Sequence, residues 1–118
     1  MLTLLPSTEI FLVAGATDMR KSFNGLSAIV ENEVKRSSTS GQIFAFCNRR
    51  RNRLKLLWFD GSGLWVAAKR LEGGTFAWPE IGTRSVELSP HELSLLLGGI
   101  DLKQTHPRRW YRRARHAQ

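Results

Sequence analysis

Apolar residues fall along this chain in short runs separated by turn-forming clusters, and helical spacing shows in only two places. Residues 9–14 (EIFLVA) form a short apolar run closed by Gly15 and predict a first strand. Beyond it Phe23, Leu26, Ile29, Val30 and Val34 recur at three- and four-residue steps, the stripe of an amphipathic helix. Thr17 or Asp18 is placed to cap that helix, and Lys35 and Arg36 suit its C-terminal dipole. Gly25 within it costs about 1 kcal/mol relative to alanine, so a close neighbour is expected there. Residues 42–48, 54–60 and 64–71 are three more strands, with gaps short enough for antiparallel connections. Residues 72–74 (EGG) turn the chain into a further short strand holding Phe76 and Trp78, stopped by Pro79 or marked by it as a sheet edge. Residues 85–88 are a last strand. Ser89, Pro90 and Glu92 then supply a cap, a first-turn proline and a capping box for a short helix whose buried stripe is Leu93, Leu96 and Leu97 and which ends at Gly98 and Gly99.

This order predicts an α+β fold: a mostly antiparallel β-meander sheet with one longer and one short helix, the helices covering one face, and a basic C-terminal tail. A single domain is expected over residues 1–104 and a flexible Arg-rich tail over 105–118. Leu54, Leu56 and Trp58 share one face of their strand, and Lys55, Leu57 and Phe59 the other. Both faces are therefore largely apolar, so the sheet is covered on both sides or one side meets a partner.

Charge changes the picture most. The chain has 118 residues, enough for one compact domain, and a net charge of +8. Arg108, Arg109, Arg112, Arg113 and Arg115 supply five of those charges, leaving the body mildly basic. A polyanion or an anionic surface is the expected partner. The single cysteine, Cys47, lies in an apolar run and reads as a small buried hydrophobe; it excludes an internal disulfide and fits a reducing cytoplasm. No apolar run approaches the ~18–20 residues of a membrane span, and the N-terminus lacks the pattern of a signal peptide.

Catalytic chemistry finds little to stand on. A two-metal site needs converging carboxylates. Asp18 reads as a helix cap, Asp60 as a turn residue bonding its own backbone, Glu92 as half of a capping box, and Glu31 and Glu33 as the polar side of the first helix. One cysteine and the scattered His91, His106 and His116 give no zinc-ligand spacing. The expectation is no enzyme, no metal and no cofactor.

What remains is cation. Arg49, Arg50, Arg51 and Arg53 crowd one hairpin loop, with Lys55 just inside the next strand. Guanidinium groups so close repel one another, and a phosphate opposite relieves that through two parallel hydrogen bonds. Lys69 and Arg70 end the following strand and fall on opposite faces. The tail arginines Arg108, Arg109, Arg112, Arg113 and Arg115 interleave with Trp110 and Tyr111, which can stack on bases while the arginines hold backbone. Against this stands the simpler reading of a solvated loop and an inert extension. Trp58, Trp65 and Trp78 read as packing residues, the alternative being an aromatic face for bases.

Several pieces in fixed order carry a resemblance: Thr17-Asp18-Met19-Arg20-Lys21 with Phe23 and Gly25-Leu26; Gly41 before Phe44 and Phe46; the arginine cluster with Lys55 and Trp58; Asp60-Gly61 and Gly63; Lys69-Arg70-Leu71-Glu72; Phe76, Trp78 and Pro79; and Gly99-Ile100-Asp101. Together they resemble the TnpB-type accessory protein of bacterial insertion sequences of the IS66 family, over about residues 10–101. Ser22, Asn24 and Leu102 depart from that pattern, and the tail lies outside it. The resemblance implies a non-catalytic protein that serves DNA transposition beside a separate transposase, in the bacterial cytoplasm at the nucleoid. The expected partners are DNA at the insertion-sequence ends and the transposase of the same element. Two alternatives stay open: a module that docks on the transposase without touching DNA, and a small RNA-binding domain.

Overall fold

A computed structural model describes residues 5–79 and 85–98. Five strands, β1 (Ile10–Val13), β2 (Ile43–Cys47), β3 (Arg53–Phe59), β4 (Leu64–Arg70) and β5 (Ser85–Leu88), form one sheet in the order β4-β3-β2-β1-β5. Three of the four pairings are antiparallel. The exception is β1 with β2, which run parallel with Ile10 beside Ile43. The reason lies between them: α1 (Phe23–Ile29), continued by a π-helical turn (Val30–Val34), returns the chain to its starting end in a β-α-β crossover.

The helices lie on opposite faces, not on one. Leu26 and Val30 pack on Phe11, Val13, Phe44, Phe46 and Leu57. On the other face Leu93 and Leu96 of α2 (Pro90–Leu97) pack on Ile10, Leu12, Ile43, Ala45, Leu54, Leu56, Val86 and Leu88. Strand alternation sends odd and even neighbours into separate cores, which is why β1 and β2 are buried at every position. Both faces being apolar is thus met by a layer on each side.

Two local expectations are corrected. Neither Thr17 nor Asp18 caps α1, which starts at Phe23 with Ser22 at the N-cap position and no side-chain cap. Asp18 instead accepts from the Arg20 amide and guanidinium, closing a tight turn ahead of the helix. The close neighbour at Gly25 is the Lys21 side chain, 3.0 Å from where a Cβ would stand. Phe76 and Trp78 do not form a strand: the Phe76 amide donates to Arg51 and the Trp78 indole to the Val13 carbonyl, so both rings are buried by loop contacts rather than by ladder pairing. The capping box of α2 is present, with Ser89 and Glu92 each bonding the other's backbone amide. Among the described residues no helix is long and apolar enough to cross a membrane.

Candidate nucleic-acid interface

β2 and β3 are joined by a turn whose shape is set by Asn48. Its Oδ1 accepts from the amides of Asn52 and Arg53, and its Nδ2 donates to Asn52 Oδ1 at 2.8 Å. Arg51 takes a left-handed backbone, φ 62°, which turns its side chain inward. The Arg51 Nη1 donates to the Trp78 carbonyl at 2.6 Å. This guanidinium therefore ties the hairpin to the Phe76–Trp78 crossing. Arg49 and Arg50 are left exposed at the tip, and Arg53 is exposed at the first position of β3.

The other cations of this end divide in the same way. Lys55 Nζ donates to the Lys21 carbonyl at 2.8 Å, fastening the loop before α1. Lys69 Nζ donates to the Leu97 carbonyl, holding the last turn of α2 where the helix dipole favours a cation. Arg70 lies directly opposite Arg53 in the β3–β4 register, and its Nε meets Glu72 at 3.0 Å. Like charges directly opposite across a strand pair destabilise it; Glu72 answers part of this charge, and an anion seated between the exposed Arg53 and Arg70 would answer the rest. Lys69 and Arg70 fall on opposite faces, since Lys69 pairs with Leu54 and Arg70 with Arg53.

Beside the hairpin tip an open cleft of about 440 Å³ is lined by Ala16, Thr17, Asp18, Asn48, Arg49 and Arg50. The Thr17 amide donates to the Cys47 carbonyl at 2.7 Å, which brings the Asp18–Arg20 turn alongside. Asp18 itself is held down at about 2, chiefly by the Arg20 guanidinium, so its charge is already matched. Cys47, at the end of β2, is fully buried and its thiol is pushed up to about 11 by burial, as expected of a packing residue.

The opposite end of the sheet has another character. It carries Glu9 before β1, Asp60 between β3 and β4, and Glu92 at the start of α2. Acidic groups are not confined to this end, since Asp18 and Glu72 stand at the arginine-bearing one. Asp60 binds the Ser62 and Gly63 amides and the Trp65 indole, which together hold its carboxyl well below the usual range. Trp65 stacks on Trp58 with ring centroids 5.9 Å apart and planes 7° from parallel. Trp78 and Trp58 are packing residues; Trp65 remains 45% exposed.

Arg108, Arg109, Trp110, Tyr111, Arg112, Arg113 and Arg115 lie outside the described residues. The last described helix, α2, ends at Leu97, whose carbonyl accepts from Lys69, the neighbour of Arg70 opposite Arg53. Sequence alone missed that Arg51, Lys55 and Lys69 each bind a backbone carbonyl. It also missed Arg20, which joins this end from a loop 30 residues away. Among the described residues no cluster of His, Cys, Asp and Glu could hold a metal.

A family model described as IS66 Orf2 like protein matches residues 8–107. Among curated relatives, uncharacterized protein y4hO of Sinorhizobium fredii is 37% identical over 112 residues, covering 92% of this chain and 96% of its own. Uncharacterized protein y4jC of the same organism is 36% identical over 93 residues, covering 79% of this chain and 80% of its own. No solved structure matches.

Proposed function

This chain belongs to the family of IS66 Orf2 like proteins, and from that premise we propose that it is a non-catalytic accessory factor of transposition that grips DNA by its phosphates. The supporting observation is the gathering of exposed Arg49, Arg50 and Arg53 at one end of the sheet, the same end at which α2 finishes beside Lys69. Arg49, Arg50 and Arg53 take phosphate, with Arg70 completing the cross-strand seat. Arg51, Lys55 and Lys69 keep the loop, the helix lead-in and the α2 terminus in the geometry that presents them. Arg108, Arg109, Arg112, Arg113 and Arg115 add a second set of phosphate contacts, and Trp110 and Tyr111 stack where bases are exposed. Contacts of this kind position a protein on duplex without reading sequence, so the choice of site falls to the transposase.

The test is binding to labelled insertion-sequence end DNA across a salt series. Each phosphate contact on a duplex contributes about 0.9 to the log–log salt slope. Replacing Arg49, Arg50 and Arg53 together by alanine is expected to flatten the slope by about 2.7, and removing the five tail arginines by about 4.5. Absence of binding at low salt, or a slope unmoved by either change, overturns the reading. A preference for single-stranded RNA over duplex DNA favours the RNA-binding alternative.

A further inference from the structure

β4 is an outer strand of unusual openness. Among the described residues no strand lies beyond it, and its seven residues keep an unbroken register with β3 from Arg70 opposite Arg53 to Leu64 opposite Phe59. The other outer strand, β5, has four residues. Long flat edges are templates for further strands unless proline, a bulge or inward charge blunts them. β4 has no proline and no bulge, its centre is the exposed Ala67 and Ala68, and its cations are confined to the last two positions.

We infer that β4 is the seam of a homodimer, pairing antiparallel with β4 of a second copy about a two-fold axis at Ala67. The charge pattern selects the orientation. Parallel pairing sets Lys69 and Arg70 alongside the same residues of the second copy. Antiparallel pairing about Ala67 engages all seven residues and sets Lys69 against Trp65 and Arg70 against Leu64 of the second copy. Each cation's stem then meets an apolar or aromatic side chain, and the exposed indole gains cover from the Lys69 methylenes while the ammonium stays on the Leu97 carbonyl. The closed two-fold also ends the edge, which an open stack of strands does not. Because the strands oppose one another, the two arginine-bearing ends of such a dimer point away from each other, one for each of two DNA segments. Arg70 belongs to both the seam and the phosphate seat; Arg49, Arg50 and Arg53 lie outside the seam, so the pairing is tested without DNA.

The experiment is done on the full chain without DNA. Sedimentation equilibrium is expected to give a concentration-dependent species of twice the 13.4 kDa chain mass. Trp65→Lys, which sets cation against Lys69 of the second copy, is expected to weaken association at least tenfold, whereas Trp65→Glu, which sets a carboxylate there, weakens it less. Circular dichroism confirms that both variants fold. For register, Ala67→Cys is expected to cross-link on mild oxidation, since directly opposed Cα atoms lie about 4.5–5.5 Å apart. Trp65→Cys is expected not to, because its two copies stand about 13 Å apart along the strands. Cys47 is buried and does not interfere. A monomer at all concentrations, or a dimer that tolerates Trp65→Lys and forms no Ala67→Cys bond, overturns the proposal.

Discussion

Arg51 shows how one backbone angle can separate side chains that look alike. With φ at 62° its guanidinium turns toward the Trp78 carbonyl, while Arg49 and Arg50, immediately before it in the same bend, stay in solvent. Arg51→Ala is expected to cost about 1–3 kcal/mol in urea unfolding, because the buried-side carbonyl loses a charge-assisted donor. Arg49→Ala and Arg50→Ala are expected to stay within about 0.5 kcal/mol of the parent. Asp60 supplies a second residue-scale test. Its folded carboxyl is depressed, first by the Ser62 amide and next by the Trp65 indole. Whatever it contributes to stability is therefore complete above the unfolded carboxylate value of about 3.9 and lost only as pH falls through the lower folded value. Trp65→Phe removes the indole donor, and the Asp60 midpoint in a carboxyl NMR titration is expected to move up; an unmoved midpoint would show that the indole contributes nothing. The sequence marked these arginines and this aspartate as a cluster and a turn. It could not sort Arg51 from its neighbours, because the sorting depends on where Trp78 comes to rest.

At the scale of elements, α2 and α1 stand at opposite ends of legibility. α2 carries its boundary signals in adjacent residues, Ser89, Pro90 and Glu92, and forms where they say it should. Ser89→Ala is expected to cost about 1 kcal/mol in thermal or urea unfolding, as it removes the acceptor for the Glu92 amide. α1 has the apolar stripe but its start was misplaced, since Asp18 spends its carboxylate on Arg20 and the chain makes a turn first. Its C-terminal half widens into a π-helical turn closed by Lys35 at φ 65°, which lets Arg36 swing over the Phe11 ring at 4.0 Å. Periodicity locates such a stripe without fixing its ends or its pitch. The Phe76–Trp78 stretch departs from expectation for a related reason: aromatic alternation fits a strand, but the Phe76 amide and the Trp78 carbonyl both bond Arg51, in a loop that no local pattern links to them.

At the scale of the whole molecule, the two apolar faces were visible in β3 alone, and the two cores are their consequence. The strand order was not visible, because β1 takes its neighbours from residues 43–45 and 85–88, far along the chain. That placement has a bearing on synthesis. Ile10–Val13 is made well before residues 85–88, and one flank of it stays bare until they arrive. Contacts so distant in sequence form slowly. The nascent chain therefore carries a sticky, half-clothed ribbon over the whole interval between β1 and β5, and its yield in the cell depends on how quickly β5 arrives to close that flank.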